Sequence, residues 1–514
     1  MNKKKVALIL FSLMTLSLTS CDFLPITFSF SHDHSQNSDS SSAMQSTNSG
    51  SINSSIHDNS SSSTSSSSAV EGETINLQIY AFNDLHGNVI DSGTGLGISK
   101  TTSLLKTHAN KDNVLYISQG DMWQGSAESN LTQGNLVTDW MNQNNFVSMT
   151  LGNHEFDWGE DPIKDNASKA NFPFLACNIY NVNTNQRVDY CEASTIVEKN
   201  GAKIGIIGAI GDCYSSISAS RVRNVEFLVG EQLTNLVKEE SRKLKQQGCD
   251  MIIYSVHDDY ANYDASLSNG YVDLVFEGHS HQNYVRVDAY GVYHIQGGGY
   301  NSTIPYVNFD LDTGSNTINV KQARALDTND YYSSVDNDAD TETLFAKYDS
   351  IIGHVHDPIG YNASYRNSNY LRQLIADLYL QVGLEKWGAS YNIFLAGGYI
   401  SCRSPYYLPA GPVSYADIYS LFPFDNDIEL CTVSGYYLSS KFVNTENENY
   451  FISYTSYGES NRESINNYDT YYLISDTYSS DYAPNNLTVV AKYRTDGYYA
   501  RDLLKDYIAA GHLA

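Results

Sequence analysis

The 514-residue sequence is short of three features, and each absence argues against a class of protein. It has 31 lysine and arginine residues against 58 aspartate and glutamate residues, a formal net charge of −27. It therefore lacks the basic surface that binds nucleic-acid backbones, and we expect no nucleic-acid partner. Its seven cysteines include no Cys-x-x-Cys pair, which argues against a zinc ribbon or a thioredoxin-like motif. Beyond the first residues, no run is long and apolar enough for a transmembrane helix.

The N-terminus has the pattern of an export signal. Residues 2–5 are basic, and residues 6–18 are apolar but too short to span a bilayer comfortably. The sequence Leu18-Thr19-Ser20-Cys21 resembles a bacterial lipobox, which implies cleavage before Cys21 and a diacylglycerol on its sulfur. An ordinary secretory signal with an incidental cysteine is the alternative. We therefore expect residues 1–20 to be a lipoprotein signal peptide, and the protein to be extracytoplasmic and anchored through lipid to the outer face of the bacterial cell membrane.

Serine dominates the segment that follows the signal. Residues 21–73 carry too little apolar surface to form a core, so we expect a lipidated cysteine followed by a disordered tether. Further along the chain, Cys177 and Cys191 flank an asparagine-rich, hairpin-like stretch. In an exported protein these two thiols could pair or could stay free.

Strand-like apolar runs alternate with helical stretches from Thr74 onward, which predicts layered α/β architecture. An acidic, helix-compatible stretch interrupts this alternation. The length of the chain indicates two or three domains. We expect one domain at residues 74–325, an acidic helical linker at 326–357, and a second α/β domain at 358–514.

Polar side chains follow five of the strand-like runs at the point where each run ends. In LGNHEFDWG, at residues 151–159, an apolar run stops at Gly152 and is followed directly by Asn153 and His154. Because α/β sheets hold ligands at the carboxyl ends of their strands, we expect these groups to meet. The five junctions supply seven metal-donor side chains: Asp84, His86, Asp121, Asn153, His257, His279 and His281. Mixed oxygen and imidazole donors, with one bridging carboxylate, suit a pair of divalent cations such as zinc, manganese or iron.

These motifs resemble those of the calcineurin-like metallophosphoesterases. The successive motifs are NDLHG at 83–87, GD at 120–121, GNHEFDWG at 152–159, SVH at 255–257 and GHSH at 278–281. Their order and the long GNHEFDWG string resemble the exported bacterial 5′-nucleotidases in particular. The resemblance implies an N-terminal four-layer α/β/β/α sandwich, followed by a second α/β substrate-binding domain joined through a helical linker.

The resemblance also implies a role for each site residue. One cation would be held by Asp84, His86 and His281, the other by Asn153, His257 and His279, and Asp121 would bridge them. A metal-bound water would attack phosphorus in line. His154 would face the phosphoryl group, and Asp157 would orient His154.

The second half resembles the family's nucleotide-binding domain at three segments: YLRQLIAD at 370–377, LAGGYI at 395–400 and FPFDN at 422–426. This implies substrate contacts from Phe424, Arg366 and Arg403, with a second aromatic at Tyr482 or Tyr478. The family's Asn-Gly-Gly-Gly-Ile-Arg pattern is replaced here by AGGYIS at 396–401, so we expect altered polar contacts to the nucleotide.

Three functions follow from these observations. The first is hydrolysis of extracellular nucleoside 5′-monophosphates to nucleoside and phosphate. The second is the same chemistry on another ester, such as a 2′,3′-cyclic nucleotide, a nucleotide sugar, a dinucleotide pyrophosphate or a sulfur ester; the altered segment at 396–401 motivates it. The third is a non-catalytic surface-binding protein, which the serine-rich tether would suit. The retention of all seven donors argues against this last hypothesis.

Overall fold

The computed structural model describes residues 72–91, 93, 95–399, 402, 407–443, 450–494 and 497–514. The predicted signal peptide, Cys21, most of the tether and Arg403 lie outside these residues. Among the helices in the described part of the chain, none combines the length and the apolar character that crossing a bilayer requires.

The first group of elements extends to residue 352. In chain order they are β1 (Thr74–Phe82), α1 (Ile98–His108), β2 (Val114–Ser118), α2 (Ala127–Leu131), α3 (Asn135–Gln143), β3 (Ser148–Thr150), α4 (Glu160–Lys169), β4 (Phe174–Leu175), β5 (Ile179–Asn181), β6 (Gln186–Arg187), β7 (Ser194–Lys199), β8 (Ala202–Ile210), β9 (Val225–Phe227), α5 (Glu231–Gln246), β10 (Met251–His257), β11 (Leu274–Phe276), β12 (Tyr284–Val287), β13 (Tyr293–Gln296), β14 (Thr303–Asp312), β15 (Thr317–Asp327), α6 (Ala339–Lys347) and α7 (Asp349–Ile352).

Two six-stranded sheets organise this first part. Their strand orders are β15-β14-β1-β2-β3-β4 and β12-β13-β11-β10-β8-β7. Strands β1 to β4 run parallel in the first sheet, and β8, β10, β11 and β13 run parallel in the second. Parallel strands covered on both faces consist of near-continuous apolar runs, as in β10, where every residue is buried.

Apolar side chains of the two sheets share one core, to which Leu77 and Ile79 of β1 and Ile204 and Ile253 of the second sheet contribute. Helices α1, α3 and α4 cover the outer face of the first sheet, and α5 covers the outer face of the second. The arrangement is a four-layer α/β/β/α sandwich, which confirms the predicted fold class.

The second group of elements begins at residue 358. In chain order they are β16 (Pro358–Asn362), α8 (Ser368–Trp387), β17 (Ile393–Tyr399), β18 (Gly411–Ser414), α9 (Tyr415–Leu421), β19 (Ile428–Ser434), α10 (Gly435–Leu438), β20 (Tyr450–Tyr454), α11 (Ser456–Asn461), β21 (Thr470–Asp476), α12 (Thr477–Tyr482), β22 (Leu487–Lys492) and α13 (Ala500–Ala509).

This second part is built on a five-stranded sheet of order β20-β17-β21-β19-β22, with apolar clusters on both faces. The long helix α8 begins where the Asn367 side chain accepts a hydrogen bond from Tyr370 N, an N-cap that satisfies an otherwise unpaired backbone donor. The described residues between 72 and 514 together form one compact unit, and the predicted boundaries at 325 and 357 stay a prediction. Cys177 and Cys191 are both buried and free.

Candidate metal centre

The seven predicted donors lie at or just after the carboxyl ends of β1, β2, β3, β10 and β11. Five of them have left-handed backbone conformations, with φ between 47° and 76°: Asp84, His86, Asp121, His279 and His281. Each such conformation costs a non-glycine residue on the order of 1 kcal/mol. Hydrogen bonds between the loops hold them there, including Asp84 N to Gly120 O at 3.0 Å and His86 N to Asp121 O at 2.9 Å. The turns thus aim side chains of different strands at one point.

The first donor group consists of Asp84, His86 and His281. The Nε2 atoms of His86 and His281 lie 3.0 Å apart. Asp84 Oδ1 lies 3.5 Å from the His281 nitrogen and 3.9 Å from the His86 nitrogen. Donors that share one cation, at bond lengths of about 2.0–2.2 Å, lie roughly this far apart, so the group fits a divalent cation.

The second donor group is built around Asn153. Its Oδ1 atom lies 3.1 Å from His257 Nε2 and 3.1 Å from His279 Nδ1. Asp121 Oδ2 lies 3.1 Å from the same His257 nitrogen and 3.9 Å from His86 Nε2. Asp121 therefore adjoins both groups, which is the position a bridging carboxylate requires.

Backbone carbonyls set the orientation of the imidazoles. His86 Nδ1 lies 3.0 Å from Gln124 O, and His257 Nδ1 lies 2.6 Å from Gln119 O. A carbonyl can only accept, so each Nδ1 carries the proton in the neutral ring and Nε2 presents its lone pair to the site. This is the tautomer that a metal ligand needs.

The carboxylates and imidazoles of the centre stabilise each other's charged forms. Burial raises the pKa of Asp121, but the charges of His257 and His154 outweigh it and hold this pKa well below its usual value. Burial lowers the pKa of His257, but Asp121 outweighs it and raises the value to about 10. The buried carboxylates of Asp84 and Asp121 therefore make a negative site that attracts cations.

Glu155 joins the ends of two strands behind the donors. It is fully buried, and its carboxylate accepts hydrogen bonds from the backbone N–H groups of Asp121, Met122 and Gly152, at 2.8, 2.8 and 2.7 Å. Burial, followed by the charge of Asp121, raises its pKa to about 7. From the sequence, Glu155 is expected to have a structural role and not a metal-binding or catalytic one, but the sequence does not indicate which backbone groups it would hold.

His154 stands beside both donor groups. Its Nδ1 lies 2.8 Å from Asp157 Oδ2, and its backbone N–H donates to Asp121 Oδ1 at 2.8 Å. The side chain is 21% exposed, so the ring is accessible from outside. The predicted pairing of His154 with Asp157 is therefore present in the geometry.

The second part of the chain brings Phe424 to this centre. The Phe424 and His154 ring centroids lie 5.9 Å apart, with the ring planes 32° from parallel. Three side chains bond the backbone of the Phe424 loop: Asn130 Nδ2 donates to Pro423 O at 2.7 Å, Arg221 Nη2 to Asp425 O at 3.2 Å, and Arg501 Nη1 to Phe424 O at 2.8 Å. Sequence reasoning missed these three residues, because none belongs to a motif.

Two other residues predicted to contact the substrate, Arg366 and Tyr482, make their recorded contacts within the second part of the chain. Arg366 donates to Asn362 Oδ1 at 3.2 Å and stacks over the Tyr370 ring at 4.4 Å. Tyr482 is 51% exposed and packs against the Tyr399 ring at 4.4 Å. Among the described residues, no hydrogen bond, ion pair or ring contact of Arg366 or Tyr482 reaches the metal centre.

A family model of calcineurin-like phosphoesterases matches residues 77–283, the segment that carries all seven donors. Over 429 residues the chain is 22% identical to the trifunctional nucleotide phosphoesterase YfkN of Bacillus subtilis, a match that covers 70% of this chain and 29% of that protein. Over 424 residues it is 24% identical to protein UshA of Yersinia enterocolitica, covering 71% of this chain and 75% of UshA. The chain spans less than a third of the length of the first curated relatives it matches.

Among solved structures, the crystal structure of a 5′-nucleotidase precursor from Thermus thermophilus superposes with a TM-score of 0.66. The match covers 85% of this chain and 96% of that one, at 18% sequence identity. At this identity the likeness concerns the fold, and it extends over both parts of the chain.

Proposed function

We propose that the chain, whose residues 77–283 match the family model of calcineurin-like phosphoesterases, is a phosphoester hydrolase that uses two divalent cations to convert nucleoside 5′-monophosphates to nucleoside and phosphate. The observation that supports two cations is the pair of donor groups that share Asp121. Zinc and manganese suit this mixture of imidazole and oxygen ligands. When bound, such cations lower the pKa of coordinated water and offset the charge that develops on phosphoryl oxygens.

The chain's own residues would supply orientation and a proton. Asp157 accepts a hydrogen bond from His154 Nδ1, which leaves Nε2 as the ring nitrogen that can meet a phosphoryl or leaving-group oxygen. Phe424, whose ring faces His154, offers an aromatic surface to a base on the leaving group. The similarity to a nucleotide phosphoesterase of Bacillus subtilis supports a nucleotide as the substrate.

Activity assays combined with metal analysis test the proposal. In Asp121→Ala both the hydrolysis of AMP and the bound metal should be lost, because both cations lose a ligand. In His154→Ala kcat should fall by roughly 10²–10⁴-fold while the metal content is retained. His108→Ala, on the exposed end of α1, is the control and should behave as wild type. Fewer than two ions per wild-type chain, or an active Asp121→Ala enzyme, would contradict the proposal.

A different ester is the second candidate, because Arg366 is directed at Asn362 and Tyr370 instead of the centre. The polar contacts to a nucleotide would then differ from those of the family. A panel of 5′-nucleotides, 2′,3′-cyclic nucleotides, nucleotide sugars, dinucleotides and sulfur esters separates the two. If AMP has the lowest kcat/KM of the panel, the second candidate replaces the first.

We propose that a lipid on Cys21 anchors the enzyme to the outer face of the cell membrane. This proposal rests on the basic and apolar residues that precede the lipobox-like Leu18-Thr19-Ser20-Cys21. Labelled fatty acid should enter the wild-type protein and not Cys21→Ala; incorporation into both would contradict the anchor.

A further inference from the structure

We infer that Cys213 is an additional ligand of the cation held by Asn153, His257 and His279, so that this position has a sulfur donor. The inference rests on the proposed two-cation function and deepens it. On binding, the S–H bond of Cys213 would break, a sulfur–metal bond would form, and the proton would leave to solvent.

The fold brings Cys213 to the centre in the same way as the predicted donors. Strand β8 lies beside β10 in parallel register, with Ile210 opposite His257. The chain then passes through Gly211 into a 3₁₀ turn, Asp212–Ser216, that contains Cys213. The carboxyl end of β8 is thus a sixth strand end at the same edge of the sheets.

A contact with Asp258 fixes the start of this turn. Asp258 Oδ2 accepts a hydrogen bond from Asp212 N at 2.8 Å. A Cβ atom on Gly211 would lie 1.8 Å from the same oxygen, so only glycine lets the backbone pass this close. The turn that carries Cys213 is therefore held against the residue that directly follows His257.

The distances suit a shared cation. Cys213 Sγ and one ring nitrogen each of His257 and His279 lie within 4.8 Å of one another. Cys213 is 5% exposed, and its thiol donates to His257 O at 2.9 Å. A tetrahedral zinc ion, with bonds of about 2.0 Å to nitrogen and 2.3 Å to sulfur, places these donors roughly 3.5 Å apart. Ligation therefore requires the donors to move by no more than on the order of 1 Å.

A buried thiol is more often a small apolar filler than a ligand, and Cys213 does adjoin the apolar core beside the first sheet. Among the cysteines of the described residues, however, Cys213 alone lies in a group of side chains that could hold a metal. The consequence of ligation is selectivity, because a soft thiolate favours zinc or cobalt over manganese or magnesium at that position.

The test uses the wild-type protein loaded with zinc or cobalt. X-ray absorption of the zinc form should show a sulfur scatterer at about 2.3 Å. The cobalt form should show a near-ultraviolet sulfur-to-cobalt charge-transfer band. Cys213→Ser should lose both signatures. It should also bind zinc at least about tenfold more weakly at the position held by Asn153, His257 and His279. Cys249→Ser, which replaces a buried cysteine outside the centre, should keep all three properties.

The possible outcomes separate the role of Cys213 from the proposed function. Two ions per chain without a sulfur scatterer would overturn the role of Cys213 and leave the proposed function intact. A charge-transfer band that persists in Cys213→Ser would also overturn it, because the sulfur would then come from another residue. A wild-type protein that binds no ions would instead overturn the proposed function. The wild-type measurement decides the matter even where Cys213→Ser folds poorly.

Discussion

At the scale of single residues, one buried carboxylate holds the two loops that carry Asp121 and Asn153. Glu155 accepts three backbone N–H groups, and glutamine can accept with only one of its two terminal atoms. In Glu155→Gln the amide group would face N–H donors, so we expect the free energy of unfolding to fall by about 1–3 kcal/mol. Urea denaturation of the metal-free protein measures it.

A surface carboxylate provides the control for this prediction. The Glu192 side chain is 64% exposed and pairs with Arg187, so Glu192→Gln should change the unfolding free energy by no more than about 0.5 kcal/mol. The Glu155→Gln protein should also bind its cations more weakly, because the Asp121 backbone loses its support. Equal stability of the two variants would contradict the assigned role of Glu155.

At the scale of elements, helix α13 holds the segment between α9 and β19. Arg501 of α13 is 3% exposed and donates to Phe424 O, to Tyr419 OH at 3.0 Å and to the carboxylate of Asp425. A lysine keeps the charge but not the planar fork, so Arg501→Lys should displace Phe424. We expect kcat/KM for AMP to fall by about tenfold or more, since small misplacements of substrate contacts are costly.

A substrate without a base separates this effect from general damage. Ribose 5-phosphate has no aromatic base to stack on Phe424, so its kcat/KM should fall much less than that of AMP in Arg501→Lys. Arg494→Lys is the matched control, because Arg494 stacks on Tyr498 at 4.1 Å at an exposed position away from the Phe424 loop. A parallel fall for both substrates would show that Arg501 only stabilises the fold.

The elements that carry the metal donors could be predicted from the sequence, because the signal for each donor lies in the residues next to it. Each donor follows a buried apolar run, as His257 follows the apolar residues of β10, so pattern and position alone locate it. The residues that place Phe424 could not be found in this way. Asn130 and Pro423 are 293 positions apart, and their contact exists only in the folded chain. The same limit applies to Cys213, which the sequence presents as one of several cysteines without a motif.

At the scale of the whole molecule, polar and charged side chains attach the segment after α7, and also the second part, to the first part. His356, which follows α7, bonds the buried carboxylate of Glu128 on α2, and Ser218 and Ser220 donate to Asp481 on α12. Burial raises the pKa of Glu128, but the bond to His356 outweighs it and lowers that pKa. The same bond raises the pKa of His356. The contact between His356 and Glu128 therefore makes the attachment of the segment after α7 to the first part depend on pH.

The direction in which stability changes with pH follows from the pKa shifts of Glu128 and His356. The stability that Glu128 contributes is present above its unfolded pKa of 4.5 and is lost as the pH falls through its lower folded pKa. The stability that His356 contributes is fully present below its unfolded pKa of 6.5 and is lost as the pH rises through its higher folded pKa. Wild type should therefore be more stable than His356→Gln near about pH 5.5, and the difference should disappear at alkaline pH.

The expected difference is at most about 1 kcal/mol, because the His356 side chain is 59% exposed and solvent screens the pair. Thermal or urea unfolding across the pH range measures it. His354→Gln is the matched control, since His354 is 93% exposed and bonds to the neighbouring Asp357. A constant difference between wild type and His356→Gln at every pH would contradict the assignment.

The left-handed backbone at five predicted metal donors bears on how easily a metal ligand can be replaced by another residue. Glycine adopts these φ values without strain, so replacing Asp84, His86 or His281 by glycine would remove a ligand and relieve the backbone at the same time. The backbone conformation at these turns therefore does not itself oppose the loss of a ligand. The buried side-chain contacts do oppose it, such as the hydrogen bond that Asp84 accepts from His279 N at 2.9 Å.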